Sequence, residues 1–293
     1  MNTDSLRFRS NRMRDVVALM HAELDSLYGV GEVNTFVEML CEAWLGWDRV
    51  QLLVNKDSTI NQSDLLRFHW ALEDLGRQRP IQHIVGHVDF CGCRIEVNPS
   101  VLIPRPETEE MVSWIVKSYE LRVMSGGILD LCTGSGCIAI ALKRAWPEAR
   151  VTAVDLSEEA LAVARRNAER NGADVNFLQA DILVPELSIF NSQFSIIVSN
   201  PPYVRQCERA AMGANVLDHE PEMALFVDDG DPLVFYRAIA QMASRHLTEG
   251  GLLALEVNEA LADETADLLR GYGFRPTVHT DFRGKERWIS AVR

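Results

Sequence analysis

Ile128-Leu-Asp-Leu-Cys-Thr-Gly-Ser-Gly136 is an apolar run that ends in two glycines one residue apart and leads straight into Cys137-Ile-Ala-Ile-Ala-Leu142. An apolar run of strand length, a glycine turn and an apolar helical stretch make the first half of a β-α-β unit, with Gly134 and Gly136 placed where a backbone can approach a ligand closely. Working outward, Gly127–Leu131 is followed by a helix through Trp146, Arg150–Val154 by a helix through Asn171, and Asn176–Gln179 by a loop. Phe194–Val198 precedes a long irregular stretch, after which come a helix near Pro232–His246, the strand Gly251–Val257 and a helix near Ala260–Tyr272. Such alternation predicts an α/β fold with a doubly wound, Rossmann-like parallel sheet covered by helices on both faces. The last two strands, Arg275–Thr280 and Arg287–Val292, have only a short link between them and must pair antiparallel.

Asp155 closes the second strand, 19 residues beyond Gly136. A carboxylate there can accept from both hydroxyls of a ribose, so the loop reads as the seat of a nucleotide-type cofactor. The geometry serves NAD, FAD and S-adenosylmethionine alike, and Gly134-Ser-Gly136-Cys-Ile-Ala139 does not choose among them. The bland alternative is a pair of turn glycines and a capping aspartate. Asp181 ends the third strand at the same edge of the sheet, where it can meet an adenine amino group or simply cap a helix.

The stretch Phe194-Ser-Ile-Ile-Val-Ser-Asn-Pro-Pro-Tyr203 decides the chemistry. A buried strand delivers Asn200 to its carboxyl end, the edge at which open α/β sheets bind ligands. Pro201 and Pro202 lack N–H groups, which leaves the local carbonyls as acceptors beside the Asn200 side-chain carbonyl. Such a pocket suits a planar NH₂ group, a carboxamide or an exocyclic base amine, with the Tyr203 ring available to pack on its plane. Amide nitrogen is a poor nucleophile, and two acceptors on its N–H bonds can hold it in line with a methyl sulfonium and stabilise the charge that develops.

Before this region the pattern is helical from Leu6 to about Leu75, with apolar residues at three and four spacing in Val16, Leu19, Met20 and Leu24 and again in Leu65, Phe68 and Leu72. Four or five helices are expected over 1–79. The texture changes over 80–106, where Val88–Phe90 and Arg94–Val97 flank Cys91-Gly92-Cys93 as a hairpin within a linker, and 107–293 is expected to form the catalytic domain.

The chain has 293 residues, 47% of them hydrophobic and 24% charged, which excludes disorder as its dominant state. Lys+Arg 29 against Asp+Glu 42 gives a net charge of −13, which opposes a broad grip on a phosphate backbone. No apolar run approaches the roughly 18 to 20 residues of a membrane helix. The six cysteines are too sparse for a disulfide scaffold and point to a reducing cytoplasm, and Cys91 and Cys93 have no second pair at zinc spacing, so no metal is expected.

The loop Asp130-Leu-Cys-Thr-Gly-Ser-Gly136, the acidic residue after the second strand and Ser199-Asn-Pro-Pro-Tyr203 resemble a class I S-adenosylmethionine-dependent methyltransferase acting on a planar amine or amide. The closer resemblance is to the protein glutamine N5-methyltransferases. Arg79-Pro-Ile-Gln-His-Ile-Val-Gly86 and Val101-Leu-Ile-Pro-Arg-Pro-Glu-Thr-Glu109 are similar to that family's junction between its helical and catalytic domains. Asn215-Val-Leu-Asp-His-Glu-Pro-Glu-Met-Ala-Leu-Phe226 and Gly230-Asp-Pro-Leu-Val-Phe-Tyr236 match it downstream. The Ile-Pro-Arg-Pro-Glu-Thr-Glu form looks more like the branch that methylates the GGQ glutamine of peptide chain release factors than the branch that methylates a ribosomal protein.

This resemblance implies a seven-stranded sheet, S-adenosylmethionine as cofactor and release factors as protein partners in translation termination. It implies that Cys132, Thr133, Gly134, Ser135, Gly136 and Asp155 line the cofactor with Asp181, Ile182 and Asn200. It also implies that Asn200, Pro201, Pro202 and Tyr203 hold the substrate glutamine, and that the helical domain docks the substrate protein. Cys132 stands where the family's loop often has glycine, and a left-handed backbone there would strain it. His219, Glu220 and Glu107 read as parts of a structural clasp. The rival enzyme is an N6-adenine or N4-cytosine methyltransferase, which needs a basic face, whereas residues 81–293 hold 20 basic and 30 acidic residues. A regulatory module that binds the cofactor without chemistry would have no use for the Asn-Pro-Pro-Tyr turn.

Overall fold

The computed structural model describes residues 8, 10–119, 126–184 and 193–293, which divide into two compact units. The first comprises the described residues up to Gly86 together with Ala214–His219, and the second His87–Gly213 with Glu220–Arg293. The expected helical start at Leu6, with Arg7 and Arg9, lies outside the described residues.

The first unit is built from α1 (Met13–Tyr28), α2 (Val30–Leu45), α3 (Arg49–Val54), α4 (Gln62–Gly76) and α5 (Ile81–Val85). Met13, Val16, Met20 and Leu24 form the buried stripe of α1, and it packs with Val33, Phe36, Leu40, Phe68, Leu72 and Leu75. Gly29, at φ 84, separates α1 from α2, and Gly46 ends α2 in the left-handed conformation. Asp48 and Gln51 close a capping box on α3, and the Asn61 side chain caps α4.

The second unit opens with the hairpin of β1 (His87–Phe90) and β2 (Cys93–Glu96), followed by α6 (Pro106–Tyr119). Its turn residues Cys91 and Gly92 both have positive φ, 49 and 73, which matches the right-handed twist of the flanking strands. The chain continues through β3 (Gly127–Leu131), α7 (Cys137–Ala145), β4 (Val151–Asp155), α8 (Glu158–Asn171), β5 (Val175–Gln179) and β6 (Phe194–Ser199). After the short β7 (Val204–Arg205) come α9 (Ala214–Leu217), which falls in the first unit, and β8 (Phe226–Val227). The C-terminal part is α10 (Val234–His246), β9 (Leu247–Glu256), α11 (Ala262–Gly271), β10 (Arg275–Thr280) and β11 (Glu286–Val292).

Seven strands form one sheet in the order β10-β11-β9-β6-β3-β4-β5. Pairing is parallel from β9 to β5, while β11 runs antiparallel to both β9 and β10, as the short final link requires. All residues of β3 and β6 are buried, because helices cover both faces of the central strands. The strand order reverses between β3 and β6, and ligand crevices of open α/β sheets form at such a reversal.

The hairpin is fastened to α8 by two asparagines. Arg94 N donates to Asn171 Oδ1 at 3.1 Å and Glu96 N to Asn167 Oδ1 at 2.7 Å, while Asn171 Nδ2 and Asn167 Nδ2 donate to the Arg94 and Glu96 carbonyls. Asn167 Nδ2 also donates to the Ser135 carbonyl at 2.9 Å, so one fully buried side chain ties hairpin, helix and glycine loop together. Among the described residues no helix is long and apolar enough to cross a membrane.

Candidate active site

The register of β3 and β6 sets Leu131 opposite Ser199, and the Ser199 hydroxyl donates to the Leu131 carbonyl at 2.6 Å. The glycine loop and the Asn-Pro-Pro-Tyr turn therefore leave the sheet side by side. Between them lies a cleft of about 1050 Å³ with its mouth included, lined by Cys132, Thr133, Gly134, Ser135, Asp155, Asp181, Ile182, Asn200 and Pro202. Gly136, Pro201 and Tyr203 stand outside this wall.

Each glycine of the loop answers a different need. At Gly134, φ is 54 and an added Cβ would meet nothing within 4 Å, so the requirement is conformational. At Gly136, φ is 81 and a Cβ would lie 3.0 Å from the Ala164 Cβ, where α7 and α8 pack closely. Cys132 also has positive φ, 58, so the strain that glycine would avoid is present, on the order of 1–2 kcal/mol. Burial and the charges of Asp155, Asp130 and Asp181 push its thiol upward, which keeps it protonated and inert.

Asp155 accepts from Gly134 N at 2.8 Å and from Ser157 N at 2.9 Å, and burial raises its carboxyl despite these bonds. Asp155 lines the cleft, and a carboxylate has acceptor capacity beyond these bonds, which suits a vicinal diol. Asp181 accepts from Leu183 N at 2.9 Å. Beneath the loop, Asp130 is wholly buried; its Oδ2 accepts from the Thr133 hydroxyl at 2.5 Å and from Ala139 N at 3.2 Å, while Oδ1 has no partner among the described residues. Burial, with a lesser contribution from Asp155, pushes its carboxyl up to about 7.

On the other side of the cleft, Asn200 Nδ2 donates to Thr108 Oγ1 at 3.2 Å, and Thr108 Oγ1 donates to Glu256 Oε2 at 2.5 Å. The Tyr203 hydroxyl donates to Glu256 Oε1 at 2.9 Å, and its ring packs on the apolar cluster that also holds Leu131 and Ile197. Tyr203 therefore anchors the turn, where the motif alone suggested a ring laid against the substrate. Glu256 is 1% exposed, and burial raises its carboxyl against the pull of Thr108, Tyr203 and Arg287. The Glu220 carboxylate is a clasp, as expected: it accepts from Ile103 N at 2.9 Å and from Arg105 Nη2 at 2.5 Å, holding Pro104 at the cleft rim. His219 belongs to the first unit.

Thr108 and Glu256 stand outside the residues expected from the motifs. Glu256 had one legible sign, a carboxylate within the apolar run Gly251–Val257; Thr108 had none beyond its place in the Pro-Arg-Pro-Glu-Thr-Glu stretch. The apolar rim formed by Leu102, Met223 and Phe235 is likewise drawn from distant segments.

The strand order and this cleft define a class I methyltransferase. The Methyltransferase small domain family matches residues 111–225, and the PrmC N-terminal domain family matches 22–86. In fold, the chain resembles a methyltransferase from Pyrococcus furiosus, with a TM-score of 0.50 and 22% identity over 69% of this chain and 88% of that one. It also resembles a Thermus thermophilus 16S rRNA methyltransferase solved with AdoMet and guanosine, with a TM-score of 0.51 and 21% identity over 71% and 49% of the two chains.

Closer in sequence is the release factor glutamine methyltransferase of Flavobacterium psychrophilum, 43% identical over 91% of this chain and 94% of that protein. The one from Bacteroides thetaiotaomicron is 40% identical over 96% of this chain and 100% of its own length. The chain belongs to the release factor glutamine methyltransferase family. Its methyl donor is S-adenosylmethionine, and the residues present fit that group: the cleft is lined by the carboxylates of Asp155 and Asp181, which suit ribose hydroxyls and a cationic sulfonium, and by an apolar edge at Ile182 and Leu183.

Two outcomes follow from this geometry. If Asp155 accepts from the ribose hydroxyls, Asp155→Ala lowers S-adenosylmethionine affinity tenfold or more, about 1.5–3 kcal/mol per charged hydrogen bond lost, as read by calorimetry. Asp130 has a folded pKa of about 7 against 3.8 unfolded, so the native state holds a proton that the unfolded state has released, and ionisation between these values destabilises the fold. Urea unfolding of Asp130→Asn beside the parent at a series of pH values should show the variant gaining relative stability as pH rises from about 4 to about 7.

Proposed function

We propose that this chain methylates the side-chain amide nitrogen of the glutamine in the GGQ motif of a peptide chain release factor, with Asn200 as the residue that receives the amide. The observation that carries this reading is the Asn200 side chain itself. It lines the same cleft as Asp155, and its Nδ2 is already engaged by Thr108. With one N–H spent on Thr108, the Oδ1 acceptor is turned away from that bond, and a carboxamide NH₂ is a donor that fits it.

Cys132–Gly136 and Asp155 hold the cofactor in this reading, and Asp181 and Ile182 flank its adenine. The cofactor supplies an electrophilic methyl on sulfonium sulfur. Asn200 Oδ1 and the carbonyls of the Asn200-Pro201-Pro202 turn accept from the amide N–H bonds, fix the nitrogen in line and stabilise the positive charge growing on it. The amide nitrogen would take the methyl from the bound cofactor, which would leave as the neutral thioether, and the amide proton would leave to water. Tyr203, tied to Glu256, keeps the turn in place. No strong base is needed before attack, because the proton becomes acidic only as the methyl arrives.

A glutamine side chain is too small to mark out one protein, so selectivity needs a second contact, and we assign it to the helical unit. On α3, Val50, Leu53 and Val54 are 67%, 67% and 77% exposed, a cluster of apolar side chains left uncovered among the described residues. Residues 1–80 carry nine basic and twelve acidic side chains, a balance suited to docking by shape and apolar contact more than by a strong field.

With labelled S-adenosylmethionine and a purified release factor, the full chain should transfer label to the GGQ glutamine. Asn200→Ala should lower turnover about 10²-fold or more while cofactor affinity stays within about twofold. Label in nucleic acid, or normal turnover by the variant, would contradict this reading. The double variant Leu53→Glu and Val54→Glu should keep its cofactor affinity and lose roughly tenfold in kcat/KM on the intact factor, with little change on a short GGQ peptide; equal losses on both would remove the docking role.

A further inference from the structure

An asparagine amide presents an acceptor or a donor according to which way it is turned, and the two orientations have nearly the same shape. Only a hydrogen-bond partner of fixed polarity can choose between them. Asn200 has such a partner, and the choice is made at two removes. Parallel pairing of β6 with β9 sets Ser199 opposite Leu255, so Asn200 and Glu256 leave adjacent strands at the same level. The first turn of α6 brings Thr108 between them, 2% exposed.

Glu256 Oε2 accepts the Thr108 hydroxyl proton at 2.5 Å. Having spent its one proton, Thr108 Oγ1 can act toward Asn200 only as an acceptor, and it is Asn200 Nδ2 that lies 3.2 Å away. Turning the amide over would set two acceptors, Asn200 Oδ1 and Thr108 Oγ1, against each other at a partly buried place and forfeit the bond. The Tyr203 hydroxyl on Glu256 Oε1 holds the other end of the carboxylate.

We propose that Thr108 and Glu256 are positioning residues which lock the Asn200 amide with Oδ1 toward the cleft, and so make the site selective for a side chain that offers N–H donors over a carboxylate of the same shape. The inference rests on the reading above that Asn200 receives the glutamine. It adds that glutamine is told from glutamate by a relay of two buried side chains, Thr108 at the cleft wall and Glu256 behind it, acting through Asn200. A carboxylate in that place faces Oδ1 acceptor to acceptor; once the lock is released, Asn200 can turn its NH₂ outward and receive it.

The test uses the full chain, unaltered and as Thr108→Val and Thr108→Ser, with a release factor carrying GGQ as substrate and the same factor with glutamate in place of that glutamine as competitive inhibitor. The unaltered chain should methylate the first and be inhibited weakly by the second. Thr108→Val, which keeps the shape and loses the hydroxyl, should show about a tenfold drop in kcat and a tenfold or greater fall in the ratio of glutamate-factor Ki to glutamine-factor KM, with cofactor affinity unchanged. Thr108→Ser, which restores the hydroxyl, should restore both. Glu256→Gln, which frees the Thr108 proton to turn toward Asn200, should shift the ratio in the same direction and serves if the valine variant does not fold. A loss of activity with the ratio unchanged would reduce the pair to structural support and overturn the proposal. Failure of the unaltered chain to methylate the GGQ factor would overturn this proposal together with the reading beneath it.

Discussion

The pairing of β3 with β6 is the constraint on which the rest of the site depends. Two strands more than sixty residues apart in sequence are held in one register, with Leu131 opposite Ser199, and the Ser199 hydroxyl on the Leu131 carbonyl fixes their ends. A slip by one residue would turn every side chain of a fully buried strand to the wrong face, so the register is strongly held. It delivers a glycine loop and an Asn-Pro-Pro turn to the two banks of one cleft. Catalysis by alignment needs this, since a donor and an acceptor held on neighbouring strands keep their distance without further devices.

Around that pairing the protein buries polar groups and satisfies them one against another. Asn167 uses both amide hydrogens and its carbonyl to join the hairpin, α8 and the glycine loop. Glu256 takes hydroxyl donors from Thr108 and Tyr203, and Glu220 takes a backbone N–H and a guanidinium. Each is stable because every partner is present, and each would be costly with one partner removed, which makes such networks specify a single arrangement. Asp130 departs from this pattern, with one oxygen unmet beneath the loop among the described residues. Its raised carboxyl and the strained Cys132 above it place unfavourable terms beside the cleft proposed to hold the cofactor, a common location for such strain.

The acidic balance of the chain bears on its chemistry as well as its partners. Asp130, Asp155 and Asp181 all act on the Cys132 thiol, so the cleft favours a cation and disfavours a second anion. Such a field suits the sulfonium of a methyl donor. In the proposed reading the same field works with Asn200, long-range charge and a directed hydrogen bond both favouring a neutral carboxamide over a carboxylate.

Much of this protein was legible before any coordinate. Apolar runs alternating with helical periods determined the doubly wound sheet, the short final link determined the antiparallel last strand, and the Gly134/Gly136 and Asn200-Pro201-Pro202 motifs marked both banks of the cleft, because those features depend on local backbone and local pattern. What only the tertiary structure decided was contact between remote segments. The hairpin of β1 and β2, expected in a linker over 80–106, is fastened to α8, and 214–219 falls with the helical unit. Tyr203 turns its hydroxyl to Glu256, and Thr108 comes from α6 to set the Asn200 amide. Motif spacing cannot show which way an amide faces, because orientation is chosen by a hydrogen-bond partner that lies 92 residues away in the chain and beside it in space.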